Sequence, residues 1–180
     1  MGLMPLRPSL HHRVPSGTKW ATCNVGANSP TAYGDYFAWG ETLTKSEYVE
    51  SNYTYAYNPT ILPASADAAT VNWGAGWKMP TLEEMNELYN NCTHEWTSQN
   101  GANGLLITGP NGNSIFLPAA GSHSDSSLDK AGFSGCYWSS SLEPGDDFPW
   151  FFLFASDDYD VGLTNRYYGF SVRPVCDVNE

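Results

Sequence analysis

Helical periodicity of useful length occurs at one place in this chain. Trp77-Lys78-Met79-Pro80-Thr81 leads into it. Thr81 is the N-cap, and Glu84, three residues on, completes a capping box. Leu82, Met85, Leu88 and Tyr89 then share one helical face. Glu83 and Glu84 lie in the first turn, where the helix dipole favours carboxylates, and Asn90-Asn91 ends the helix. Beyond it come only short apolar or alternating runs, each closed by turn-forming residues. A chain built this way is expected to fold as an α+β domain, its helix held apart from antiparallel sheet.

The remaining segments follow from local pattern. Thr18 to Val25 alternates and reads as a first strand. Residues 26–35 form a loop, Tyr36-Phe37-Ala38-Trp39 is a short apolar segment closed by Gly40, and residues 41–70 read as a long irregular insertion. Residues 105–108 and 114–117 pair as a hairpin across a turn containing Asn111-Gly112. Residues 121–135 read as a loop rich in Gly, Ser and Asp, Cys136 to Ser141 as a short strand, and 142–149 as a turn-forming loop. The run from Phe170 to Val175 closes the domain as a buried strand, with Pro174 marking an edge or a terminus because it cannot donate to a ladder.

The chain has 180 residues, a length that suits one domain. With 41% apolar, 14% aromatic and only 15% charged residues, it has the composition of a packed core and not of a disordered segment. A formal net charge of −11 argues against nucleic acid as a partner. No apolar run approaches the roughly 18 residues of a membrane span. Residues 1–14 are interrupted by prolines, lack the continuous apolar stretch of an export signal, and read as a tail outside a single domain over 15–180. Cys23, Cys92, Cys136 and Cys176 form no C-x-x-C pair, which disfavours a structural zinc site and leaves any disulfide pairing open. Asn52-Tyr53-Thr54 and Asn91-Cys92-Thr93 match the glycosylation sequon, a pattern that also recurs by chance.

Six blocks occur in order: "PSGTKWATCNVGA" (15–27), "DYFAWGET" (35–42), "WKMPTLEEMNEL" (77–88), "TGPNGNSIFLPAAG" (108–121), "YWSS" (137–140) and "GFSVRPV" (169–175). Together they resemble the Fibrobacter-type major paralogous domain of gut-bacterial surface proteins and their phages. The resemblance implies a C-type-lectin-like fold displayed on a bacterial surface or a phage virion. It also implies a variable region, here about 122–168, written by a diversity-generating retroelement. Such elements randomise template adenines, and Asn codons are their usual targets. In that pattern Trp138, Trp150, Arg166 and the 169–175 block are framework.

Strand alternation sorts the rest. Phe152 and Phe154 fall on one face of a strand; Phe151, Leu153 and Ala155 fall on the other. Across a turn at Ser156-Asp157, Tyr159, Val161 and Leu163 form an apolar set read as core. They alternate with the mixed set Asp158, Asp160, Gly162 and Thr164, every member of which is reachable from an Asn codon. Asp146, Asp147, Phe148 and Tyr168 are reachable too. The expected ligand face is therefore Asp146, Asp147, Phe148, Phe151, Leu153, Ala155, Asp158, Asp160, Gly162, Thr164, Asn165 and Tyr168, with His123 at its rim. Its partner would be a protein or a glycan, such as a host-cell surface receptor.

Other chemistries find less support in the residues. His94 and His123 are the histidines beyond the tail, and neither has a catalytic spacing, so a non-enzymatic protein without cofactor is expected. The aspartates of "DDYDVG" do not form an EF-hand loop. Of the motifs of calcium-dependent lectins only Glu143-Pro144 is present, and no metal is expected. A structural adhesin module and a calcium-dependent glycan lectin are the alternatives.

Overall fold

The computed structural model describes residues 17–176; the tail expected over 1–14 lies outside them. The described chain is α+β, mostly sheet with two helices. No helix among the described residues is long and apolar enough to cross a membrane.

The spine is β8 (Ser134–Leu142), nine residues that are all buried. It lies in a five-stranded sheet between β9 (Pro149–Ala155) and β11 (Phe170–Ser171). Beyond β9 comes β10 (Tyr159–Leu163), and beyond β11 comes β2 (Tyr36–Phe37). The alternation of β8 divides the interior in two. Tyr137 faces a core with Phe152, Phe154, Leu105, Ile107, Ile115 and Leu117. Cys136 and Trp138 face a second core with Phe37, Trp39, Met79, Phe170 and Val172.

The β8–β9 register shifts between Trp138 and Leu142, and this irregularity frees backbone groups for distant segments. The Ser139 carbonyl accepts from Trp39 Nε1 at 2.9 Å, Ser140 N donates to Pro80, and the Ser140 carbonyl accepts from Leu62 N. Gly135 lies opposite Phe154, whose ring occupies the space a Cβ at Gly135 would need.

The long helix, α2 (Leu82–Asn91), forms as the capping box predicts. Thr81 Oγ1 accepts from Glu84 N, and the Glu84 carboxylate accepts from Thr81 N at 2.8 Å. Met85 and Leu88 are buried in the first core, while Tyr89 packs at its margin. A shorter helix, α1 (Ala68–Trp73), was not expected within the supposed insertion. Its signal is Asp67, which is buried and accepts from Thr70 N and Met79 N, so one carboxylate caps the helix and fixes the returning chain. Single 3-10 turns occupy Glu50–Asn52 and Ala64–Ala66.

The expected hairpin is present as β4 (Ala102–Thr108) and β5 (Ser114–Pro118). A further strand, β3 (Thr93–Gln99), extends this sheet through the two-residue turn Asn100-Gly101. Both turn residues have positive φ, as an Asn-Gly hairpin turn requires. Residues 121–135 are not simply loop, since they hold the hairpin β6 (Ser122–Ser124) and β7 (Ser127–Asp129).

The ends of the described chain meet. β1 (Lys19–Trp20) pairs antiparallel with β12 (Val175–Cys176). The strand expected over 18–25 is thus two residues long, but Ala21 N and Val25 N still donate to Pro174 and Val172. The closing strand is likewise split, β11 and β12 belonging to different sheets. Pro174 falls at a strand terminus, immediately before β12; Val175 pairs with Trp20 and also bridges Lys78, exchanging two hydrogen bonds of 2.9 and 3.0 Å.

Arg173 sits between β11 and β12, fully buried. Its guanidinium donates to Asn24 Oδ1 at 2.9 Å, the Ala21 carbonyl at 3.1 Å and the Phe116 carbonyl at 3.0 Å. Asn24 also donates to Tyr137 Oη, which donates to Pro118. One side chain thereby joins the start, middle and end of the domain. Cys23, Cys92 and Cys136 are free thiols.

A groove on the outer face of the sheet

β9 and β10 are paired so that Leu153 faces Asp160 and Phe151 faces Gly162. β8 continues both rows, with Cys136 opposite Leu153 and Trp138 opposite Phe151. Directly opposed residues point to the same side of a sheet. The side away from the first core carries Phe151, Leu153 and Ala155 on β9, with Asp158 and Asp160 beyond them. The β6–β7 hairpin and the turn after it rise beside this face and close a groove of about 790 Å³.

The groove is lined by Phe151, Leu153, Ala155, Asp158, Asp160, Thr164 and Tyr168, all residues of the expected ligand face. Its floor includes Cys136 and Phe170. Beneath lies an aromatic layer: Phe170 stacks on Trp138 at 4.2 Å between centroids, Phe151 lies 5.2 Å from Phe170, and Tyr168 stacks at 6.1 Å. The Trp138 indole is pinned by a 2.7 Å hydrogen bond to the Phe37 carbonyl. Burial pushes the Cys136 thiol up to about 12, against the pull of Ser122 and Lys130, so it is not a thiolate nucleophile at neutral pH.

Gly162 belongs to the same face, opposite Phe151. A Cβ built there would lie 3.4 Å from the Phe151 ring, an ordinary contact, so a Cβ is tolerated at this position. Asp160 turns its carboxylate to the N–H of Val161 at 2.8 Å, on the outer strand of the sheet.

The other expected residues lie elsewhere. Asp146 and Asp147 line a separate recess of about 490 Å³ with Asn58, Pro59 and Thr60. Asp147 is engaged there: its carboxylate accepts from Asn58 and lies 3.6 Å from Arg166, whose Nε donates to the Asp147 carbonyl. Arg166 also rests over the Trp39 ring, a structural position. Phe148 is exposed on that loop and does not line the groove. The Asn165 carbonyl accepts a long 3.4 Å bond from Tyr168 N and shapes the turn beneath the groove. His123 is no rim residue. Its ring packs edge-on against Tyr36 at 4.6 Å and beside Tyr48 at 5.4 Å, and its backbone exchanges hydrogen bonds with Gly169.

Two residues read as core are not buried. Tyr159 and Leu163 are 38% and 41% exposed, and only Val161 packs on the first core. β10 is the outermost strand, so its inward-facing row is only partly covered. Tyr159 instead reaches the groove and packs on His94 and Tyr89. The sequence reading also missed the wall formed by Ser122, Ser124, Asp129, Lys130 and Phe133 as part of the site. Phe133 is 74% exposed, and an aromatic beside Gly132 in an otherwise polar stretch was its signal.

Behind β10, His94 stacks on Tyr159 with ring centroids 4.0 Å apart, and its Nε2 is buried without a hydrogen bond. Burial holds its pKa below the ordinary 6.5, against a hydrogen bond to Leu88 that favours the charged form. A depressed folded-state pKa means stability present above about 6.5 and lost as pH falls through the folded value. The melting temperature should therefore fall on acidification from roughly pH 7 to 5, and less steeply in His94→Phe, which keeps the stack without the charge. Parallel curves for the two proteins would remove His94 as the cause.

Among the described residues no three His, Cys, Asp or Glu side chains are placed to share a metal ion. Comparison of the chain with protein-family models, with curated proteins and with solved structures finds no match.

Proposed function

We propose that this chain is a non-enzymatic ligand-binding module of C-type-lectin-like fold, and that the groove on β9 and β10 is its recognition surface, diversified by a retroelement. The observation that carries this reading is the meeting of Phe151, Leu153, Ala155, Asp158, Asp160, Thr164 and Tyr168 in one concavity. The paired terminal strands and the helix against the first core support the fold. Gly162 adds to the functional reading, because a Cβ at its position makes only ordinary contact with the Phe151 ring. Below the groove, Trp138 and Phe170 are buried and stacked on one another, a base that stays put while the face above it changes. The module would act on a bacterial surface or a phage virion, with a protein or glycan receptor as its ligand.

Sequencing of the encoding locus and of this gene's 3′ end across a population tests the proposal. Changes should concentrate at positions 151, 153, 155, 158, 160, 162, 164 and 168 and trace to adenines of a nearby template repeat. Fixed positions, or drift no greater than elsewhere on the surface, would overturn the retroelement and favour an ordinary adhesin module.

A further inference from the structure

We infer that the groove takes a basic protein loop, one that presents an aromatic or large aliphatic side chain flanked by Lys or Arg. The inference rests on the reading of the groove as the recognition surface and specifies the chemistry of its ligand.

The apolar half of the argument lies in the middle of the groove. Phe151, Leu153 and Phe170 line it, and Phe133 stands 74% exposed on the opposite wall. An exposed aromatic facing an aromatic-floored concavity offers a slot whose burial stabilises an incoming apolar side chain. The groove's volume is within the roughly 300–1,000 Å³ of ligand sites, which accommodates several side chains of a loop.

The electrostatic half lies at the margins. Asp129 stands on one wall, and Asp158 and Asp160 on the other, against the single cation Lys130. Among the described residues none of these three carboxylates is ion-paired. The contacts they make are with neutral groups: Asp129 accepts from Ser124 Oγ at 2.8 Å, and Asp160 from Val161 N. Unpaired carboxylates on both sides of an apolar slot complement cations on both sides of an apolar side chain. The formal charge of −11 on the whole chain draws such a partner in and repels acidic ones.

The test is selection of short, disulfide-closed random peptides displayed on phage against the immobilised full chain. Phe133→Ala and the double variant Asp158→Asn, Asp160→Asn serve as counter-screens, with unchanged melting temperature as the folding control. Asn at 160 retains the acceptor for Val161 N. The expected peptides carry Trp, Tyr, Phe or Leu beside Lys or Arg. They should bind the double variant about tenfold more weakly, and lose affinity as salt is raised. Neutral or acidic peptides that depend on Phe133 yet ignore the two aspartates would overturn the ligand chemistry and leave the groove as the site. Glycan-array binding abolished by Phe133→Ala, with no peptide enriched, would replace the protein partner by a sugar. Enriched binders indifferent to both variants would overturn the groove itself.

Discussion

Replacing Arg173 by Ala should cost about 3–5 kcal/mol in chemical denaturation, a large part of the ~5–15 kcal/mol that stabilises a domain. The side chain is fully buried without a carboxylate partner among the described residues, and burial works against its charge. Three acceptors compensate: Asn24 Oδ1, the Ala21 carbonyl and the Phe116 carbonyl. Truncation strands all three in a site closed to water and leaves the volume of the guanidinium empty. It also loosens Asn24 from its bond with Tyr137, whose burial raises its own pKa to about 12. Arg173→Lys should recover little, because an ammonium cannot reproduce the fork that reaches three acceptors on separate segments. A loss under about 1 kcal/mol for Arg173→Ala would show that water or a neighbour replaces these bonds, and the clasp would then be no clasp.

Phe154→Ala should cost about 3–5 kcal/mol, while Asp160→Ala, one strand away, should stay within about 0.5 kcal/mol and change ligand binding instead. Phe154 is completely buried and contacts Tyr137, Phe152 and Trp96 with centroids 5.8, 5.9 and 6.4 Å away. Gly135 leaves room for its ring and has no side chain of its own to move into a cavity there. Asp160 is exposed and bonds only to the next amide, which water can serve equally well. Denaturation midpoints of the two variants give the comparison. Similar losses would mean that the two faces of β9 and β10 are not separable, and the division between scaffold and recognition surface would fail.

The two faces of β9 were readable in the sequence because strand alternation is a local property. Knowing that Phe152 and Phe154 share a face needs only the period, and both are buried. The same rule misassigned Tyr159 and Leu163: alternation says which residues face together, not how well a sheet's outermost strand is covered. The capping box placed α2 because its signal lies within four residues. Asp67 and α1 were hidden, since Asp67 reaches across the chain to Met79. The β6–β7 wall was illegible for a different reason. Its strands are short and mostly polar, β6 partly buried and β7 exposed, so no apolar period marks them. Nothing local in "GFSVRPV" says that its arginine is interior, because its partners are 57 to 152 residues away.

The amide that Asp160 holds has a meaning beyond the groove. Ala155 N bonds to the Asp158 carbonyl and Thr164 N to the Pro149 carbonyl, so the even-numbered residues of this ladder spend their backbone groups on β9. The odd-numbered ones face the open margin of the sheet, where another chain could add a strand. At Val161 the Asp160 carboxylate occupies that donor and sets a negative charge beside it. Residue 160 thus acts as a plug against self-assembly. An aliphatic or aromatic residue there removes the plug and widens the sticky margin.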